Sequence, residues 1–202
     1  MSTTTKPNVT NNATIEDGQK ENTTEKDKVK DGKELIKEKE SKFYELVDLL
    51  EKWGYKVTDR TKESKIEGIE FQAEIYPLLP YSSGLNTPLF LEFQNDLDDG
   101  FIIRTTFKLD EDIESHLKNQ KNMARETALT YIEIEQIVLP LRISMIKSHP
   151  FTNLYRVVFY RDLKRQSFYD CIVDLVNSMS LVIGKWDAKY HDVKTKSDAE
   201  QS

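Results

Sequence analysis

The sequence predicts an α+β domain in which an antiparallel sheet of about four strands has three main helices packed on one face, in the order α-βββ-α-β-α. Apolar residues recur at helical spacing near 43–53, at alternate positions within 69–107, and at helical spacing again after 162. A period of 3.6 residues marks one side of a helix, and a period of two marks one face of a strand. Because the two periods occupy separate segments, helices and strands are segregated, which is typical of α+β folds.

The first helix is predicted from Glu34 to Trp53, with lysines and glutamates opposite its apolar side. That apolar side holds Phe43, Leu46, Val47, Leu50 and Trp53. Gly54 follows directly, where a helix commonly ends on a residue in the left-handed conformation. The period then changes to two, and residues 55–58 can form a short strand.

Three strands are predicted over residues 69–75, 89–93 and 101–107, because apolar and polar residues alternate there. The pair Asp99-Gly100 between the last two strands indicates a tight hairpin turn. The surrounding N-D-L-D-D-G sequence is similar to the start of a calcium loop. However, Leu97 replaces an oxygen ligand and Thr106 replaces the bidentate glutamate of such a loop. We therefore expect a hairpin turn here and not a metal site.

The C-terminal half adds a short helix, a long helix, a strand and a last helix. Asp110 can cap the short helix, which runs to about Lys118. The strand is predicted over 154–160, where β-branched and aromatic residues are frequent, and Asp162 can cap the last helix. The apolar stripe of the last helix comprises Phe168, Ile172, Leu175, Val176, Met179, Val182 and Trp186.

The long helix, predicted over 124–147, is apolar over more of its circumference than one sheet face can cover. Pro140 lies inside it and predicts a kink, because proline lacks an N–H donor and crowds the carbonyl of Gln136. A surface helix has one apolar stripe about 100° wide, whereas this helix has two. The candidate interface residues are Ile134, Val138, Leu139, Leu141, Ile143 and Met145. Either other helices of the domain cover the second stripe, or another chain does, in a homodimer or with a protein partner.

The aromatic residues place the domain between two predicted tails. Every Phe, Tyr and Trp lies between Phe43 and Tyr190. Residues 1–33 are rich in Thr, Asn, Lys and Glu and have too little apolar surface to offset the entropy of ordering them. We therefore expect a disordered tail at 1–33, a single domain at 34–190, and a second disordered tail at 191–202.

The net charge and the cysteine content limit the cellular compartments and the classes of partner that are expected. The net charge is −6, so the basic surface typical of nucleic-acid-binding proteins is not expected. Cys171 is the only cysteine, so no intramolecular disulfide can form and a reducing compartment is the simplest interpretation. No secretory h-region follows Met1, and no uninterrupted apolar run reaches the length of a membrane span. The sequence thus predicts a soluble cytoplasmic protein.

No catalytic residue, cofactor site or metal site is predicted. The three histidines have no second histidine or cysteine at metal-ligand spacing, and Cys171 lies on the flank of an apolar stripe, where a core position is typical. The predicted strands carry three glutamates and two bases, namely Glu70, Glu74, Glu92, Arg104 and Lys108. Such residues form cross-strand ion pairs more often than acid–base pairs, so a hydrolase built on these carboxylates is the least favoured hypothesis.

A cluster of bases lies around the junction between the last strand and the last helix. The candidate anion patch consists of Arg156, Arg161, Lys164 and Arg165. Phosphate could bind such a patch, although Asp162 and Asp170 lie nearby and a solvated face is the simpler interpretation. The patch gives an alternative hypothesis, a regulatory domain that binds a small molecule or a nucleotide.

Two short motifs resemble those of a known family. These are Trp53-Gly54-Tyr55, which closes the first helix, and Phe159-Tyr160-Arg161-Asp162-Leu163, which leads into the last helix. With them the chain resembles, over about 43–186, an uncharacterised archaeal family of small α+β domains similar to the type III secretion chaperone-like fold. The resemblance implies that fold and dimerisation through the long helix, and it implies no reaction. The favoured hypothesis is a non-enzymatic protein-binding module, chaperone-like or adaptor-like.

Overall fold

Within residues 25–64, 66–76 and 87–192, which are those that the computed structural model describes, the chain forms a six-stranded antiparallel sheet and four α-helices. The helices are α1 (Glu25–Lys52), α2 (Glu111–Lys118), α3 (Met123–Val138) and α4 (Arg165–Lys189). The strands are β1 (Lys56–Asp59), β2 (Ile69–Tyr76), β3 (Leu89–Gln94), β4 (Gly100–Lys108), β5 (Ser144–Ser148) and β6 (Phe151–Phe159). In space the strands lie in the order β1-β2-β3-β4-β6-β5. The predicted tails at 1–33 and 191–202 lie mostly outside the described residues.

The predicted α+β class with an antiparallel sheet is confirmed, but the expected numbers of strands and helices were only roughly right. Strands β2, β3, β4 and β6 correspond to the four expected ones, and the segment around 55–58 forms β1 at one edge of the sheet. Strand β5, at the other edge, was not predicted. The short helix α2 begins as expected, because Asp110 Oδ1 accepts a hydrogen bond from the Asp112 N–H at 3.1 Å.

One face of the sheet carries the core, and the helices pack on that face. Phe93 lies at its centre and is fully buried. Its ring is 5.7 Å from the ring of Phe43 on α1 and 5.4 Å from that of Phe101 on β4. Phe101 contacts Phe168 of α4 at 5.9 Å. The alternation of apolar residues along β2, β3 and β4 therefore supplies the side chains that hold α1 and α4 against the sheet.

Helix α4 confirms its predicted apolar stripe, since every member of that stripe is buried. Among the described helices, α4 alone is long and apolar enough to cross a bilayer by length and composition, a test that core helices also pass. The predicted capping by Asp162 is wrong, because that residue belongs to a preceding 3-10 turn, Tyr160–Asp162. The helix begins at Arg165, and the hydroxyl of Ser167 accepts a hydrogen bond from the Lys164 N–H at 2.9 Å.

The long helix predicted over 124–147 is wrong in its second half. Helix α3 ends at Val138, and Pro140 lies in a 3-10 turn, Leu139–Leu141, that follows it. Arg142 then adopts a left-handed conformation with φ of 57°, which turns the chain away from the helix axis. Pro140 ends this helix and does not merely kink it. The residues that follow the turn form the edge strand β5, which pairs with β6.

The predicted second apolar stripe is therefore not a stripe on one helix. Ile134 and Val138 of α3 are fully buried in the core, and Ile143 is nearly so. Leu141 and Met145 are partly buried and pack against the same core. Leu139 alone of the six candidate interface residues is well exposed, at 67%. The protein's own sheet and helices therefore cover, fully or in part, five of the six candidate interface residues and leave Leu139 exposed.

The turn predicted at Asp99-Gly100 is also placed differently. The connection between β3 and β4 spans residues 95–99, and Gly100 is already the first residue of β4. There it pairs with Phe159 of β6. A longer loop thus replaces the tight two-residue turn. Lys39 of α1 forms an ion pair with Asp98 of this loop, at 3.2 Å, and another with Glu70 of β2, at 3.0 Å.

Candidate functional site: the open face of the sheet

The side of the sheet turned away from the helices, called the open face below, carries both polar and apolar side chains. It is formed by the residues that alternate with the core positions, such as Gln72 on β2, Glu92 on β3, Arg104 on β4 and Tyr155 on β6. An antiparallel sheet covered on one side only normally shows polar residues on the other. Here the open face departs from that pattern, because buried ionised groups and exposed aliphatic groups lie side by side.

A chain of hydrogen bonds crosses four neighbouring strands on the open face. Gln72 Nε2 donates to Glu92 Oε1 at 2.7 Å, and Arg104 Nη2 lies 2.7 Å from the same oxygen. Arg104 Nη1 donates to Thr106 Oγ1 at 3.0 Å, and the Thr106 hydroxyl donates to Asn153 Oδ1. The register explains this arrangement, since Gln72 stands directly opposite Glu92 and Arg104 lies diagonally across from it.

The Glu92 carboxylate is almost completely enclosed, with 2% of its side chain exposed. The Arg104 guanidinium lies 4.9 Å from the centre of the Phe90 ring and keeps 23% of its side chain exposed. A buried carboxylate needs a paired cation and hydrogen-bond donors, and both are present. The network therefore fixes the positions of side chains on four strands and forms a rigid floor for the open face.

A groove of about 790 Å³ lies over this floor. Its walls are apolar: Ile66, in the loop before β2, is 51% exposed, and Ile146 on the edge strand β5 is 53% exposed. Ile102 and Tyr155 lie between them on β4 and β6. The groove has the size of a ligand or peptide cleft and the composition of one, with apolar walls and a few fixed polar groups.

The three glutamates predicted on the sheet each pair with a different base. Glu92 of β3 forms an ion pair with Arg104 of β4, which agrees with the expected cross-strand ion pairs. Glu70 pairs with Lys39 of α1, at 3.0 Å. Glu74 accepts a hydrogen bond from the Tyr76 hydroxyl and pairs with Arg60, and these donors hold the pKa of Glu74 below its ordinary value. Each of these carboxylates thus has its own donor.

The residues of the predicted anion patch lie in three different places. Arg156 faces the helices and donates to Asp174 of α4 at 3.0 Å. Arg161 is exposed beside Asp162, with its guanidinium 5.2 Å from the centre of the Phe159 ring. Only Lys164 and Arg165 share a groove, which has a volume of about 370 Å³ and lies against α1.

Cys171 is buried, as the sequence indicated. Burial raises the pKa of its thiol to about 12, so the unreactive protonated form is present at neutral pH. Among the described residues, no group of three His, Cys, Asp or Glu side chains is arranged to hold a metal ion.

The residues that build the open face were only partly visible in the sequence. Glu92 and Arg104 were noted as polar members of alternating strands. Asn153 and Ile66 gave no signal, since each lies beside the groove only because of the strand order and the loop before β2. Ile146 was assigned to the long helix, because its spacing from Ile143 fits a helix as well as a strand.

Comparison with known proteins supports the fold and says nothing about activity. No protein-family model matches the chain, and no curated protein matches it. The chain is similar to the crystal structure of an uncharacterized protein from Methanothermobacter thermautotrophicus, with a TM-score of 0.59 and 8% sequence identity. The match covers 73% of this chain and 97% of that chain. At this identity the similarity shows the fold alone.

Proposed function

We propose that the protein is a non-enzymatic protein-binding module, chaperone-like or adaptor-like, which holds a protein partner on the open face of its sheet. The observation that carries the proposal is the groove whose exposed isoleucines, Ile66 and Ile146, flank the ionised Glu92–Arg104 floor. Covering one isoleucine side chain fully is worth about 1.5–3 kcal/mol. Exposed apolar walls of this kind around a fixed polar floor are typical of a binding surface.

The edge of the sheet beside the groove supports a partner that binds as an extended segment. Strand β5 is the last strand in the sheet order, so its outer edge faces no other strand of the described chain. Such an edge presents unpaired N–H and C=O groups to which an extended peptide can add. Because Ile146 lies on β5 and also lines the groove, a segment added at this edge would place its side chains beside the groove.

Charged substitutions in the groove should remove the partner and leave the fold intact. We expect Ile66→Asp and Ile146→Asp to weaken partner binding at least about tenfold, because an aspartate cannot be covered by an apolar partner surface without a cation. The melting temperature should change by no more than about 2 °C, since both side chains are half exposed. Quantitative affinity purification from the native cell measures the binding of a different protein. Sedimentation velocity measures the binding of a second copy of the chain.

The matched control is Leu139→Asp, which places the same charge on the most exposed of the originally predicted interface residues, in the turn after α3. This control should keep the partner. If Ile66→Asp and Ile146→Asp retain every partner of the wild-type protein, the open face is not the binding surface. If Leu139→Asp alone loses the partner, binding occurs on the helical side.

A second candidate function is the binding of a nucleotide or another small phosphorylated molecule. It is supported by Lys164 and Arg165, which share a groove against α1, where Lys42 and Lys52 pair with Glu45 and Asp48. Phosphate recognition by clustered bases would make ATP raise the melting temperature, because a ligand that binds only the folded state stabilises it. The double substitution Lys164→Glu/Arg165→Glu should abolish that rise. If ATP causes no rise in the wild-type protein, the binding of ATP is excluded.

A further inference from the structure

Strand β5 leaves one edge of the sheet open to another chain. Within residues 25–64, 66–76 and 87–192, β5 pairs with β6 alone, and no backbone hydrogen bond from a loop or helix reaches it. Alternate residues of β5 therefore direct their N–H and C=O groups outward. Charged side chains on an edge strand oppose pairing with another chain. Strand β1, at the other edge, has two charged residues in four, Lys56 and Asp59, whereas β5 has one in five, Lys147. The β5 edge is thus the less protected of the two edges.

Apolar side chains lie beside this edge on both faces of the sheet. On the open face, Ile146 of β5 is half exposed. On the helical face, Ile132 of α3 is half exposed and lines a cleft together with Lys147. Glu135 lies about one turn further along the same side of α3 and pairs with Lys147. The sheet and the helix layer therefore present apolar surface together along one side of the molecule.

The sequence of β5 fits antiparallel pairing with its own copy. A twofold axis perpendicular to the sheet keeps the open faces of the two copies on the same side, so opposite residues must point the same way. Only a register centred on Ile146 pairs all five residues of the strand with all five of the copy. In that register Ser144 lies opposite Ser148 of the second copy, and Met145 lies opposite its Lys147. A register centred on Lys147 would place two lysines directly opposite each other, which is destabilising.

We propose that a second copy of this chain pairs with the β5 edge, so that two six-stranded sheets become continuous. The pairing rests on the proposed function, since it names the extended partner that adds beside the groove. Ile146 packs against Ile146 of the second copy on the open face, and Ile132 lies in the contact on the helical face. The charges at this contact are complementary, because each copy brings one Glu135 and one Lys147 toward the axis. Every lysine there keeps a carboxylate, and no excess charge is covered.

Sedimentation velocity of the full chain over a concentration series tests the pairing. We expect the wild-type protein to sediment with twice the mass of the chain at the highest soluble concentration. Ile146→Lys and Ile146→Asp each place like charges directly opposite each other in the dimer, so each should weaken self-association at least about tenfold. An equimolar mixture of the two variants places opposite charges there. It should associate at least about tenfold more tightly than either variant alone.

The matched control is Leu181→Lys, which places a charge on a similarly exposed apolar residue of α4 and should leave the dimer intact. Ile132→Lys lies outside the sheet and should also weaken the dimer, so it keeps the test decisive if charges at position 146 unfold β5. Circular dichroism shows whether each variant is folded.

A wild-type protein that stays monomeric at every concentration overturns the pairing. If Ile66→Asp nevertheless loses a different protein captured from the native cell, the proposed function stands without it. The pairing is also overturned if the mixture of position-146 variants associates no more tightly than each alone, or if Leu181→Lys dissociates as they do. If the position-146 variants do not fold, a folded Ile132→Lys protein that dimerises like the wild type overturns it.

Discussion

Replacing Arg104 by methionine should destabilise the protein by about 3 kcal/mol, because it leaves the Glu92 carboxylate enclosed without its cation. Glu92 has 2% of its side chain exposed, and after the change only Gln72 would still donate to it. Removing one partner of a buried ion pair typically costs about 3–5 kcal/mol. We place the effect at the lower end of that range, since 23% of the Arg104 side chain is exposed and water can partly replace it.

Urea unfolding measures this loss as a shift of the midpoint at constant slope. Arg161→Met is the matched control, because it makes the same substitution in an ion pair whose two side chains are 76% and 70% exposed. It should leave the midpoint nearly unchanged. The double variant Glu92→Gln/Arg104→Met leaves no charge in the enclosed site and should recover at least half of the lost stability. If Arg104→Met is as stable as Arg161→Met, the network does not hold the open face together.

The parts of the fold that the sequence could predict are those decided by local patterns. The apolar stripes of α1 and α4 and the alternation in β2, β3 and β4 each require only neighbouring residues, and each matches the structure. Strand β5 could not be predicted in this way. Ser144–Ser148 is short, and its apolar residues follow those of α3 at intervals that also fit a helix. The pairing of β5 with β6 decided between the two conformations.

The open face depends on contacts between residues far apart in the chain, which explains why the sequence showed so little of it. Asn153 joins Gln72, Glu92 and Arg104 only because β6 pairs with β4 as well as with β5, the strand that precedes it in the chain. Lys39 of α1 illustrates the same limit, because its ion-pair partners Glu70 and Asp98 lie far from it in the chain. The structure buries it, with its Nζ donating to the Gln94 carbonyl at 2.7 Å.

Gly100→Ala should be destabilising although alanine has the better intrinsic propensity for regular structure. A Cβ atom at this position would lie 2.6 Å from the Val158 carbonyl oxygen and 3.3 Å from the Phe159 Cα. Both are backbone atoms of β6, and they are held by the pairing of Gly100 with Phe159 and of Phe101 with Val158. The hydrogen bond from the Tyr160 N–H to the Asp99 carbonyl, at 2.8 Å, restricts the backbone further. The glycine is therefore required for the close approach of two strands and not for a turn.

Relieving such an overlap by moving β4 away from β6 costs about 1–3 kcal/mol in a well-packed protein, and urea unfolding should show a loss of this size. Gly184→Ala is the matched control, since Gly184 lies in α4 and a Cβ there would have no atom within 4 Å. Alanine is favoured over glycine inside a helix by about 0.5–1 kcal/mol, so this variant should be stabilised. A Gly100→Ala protein as stable as Gly184→Ala would show that β4 and β6 can separate freely, and the close approach would then not constrain position 100.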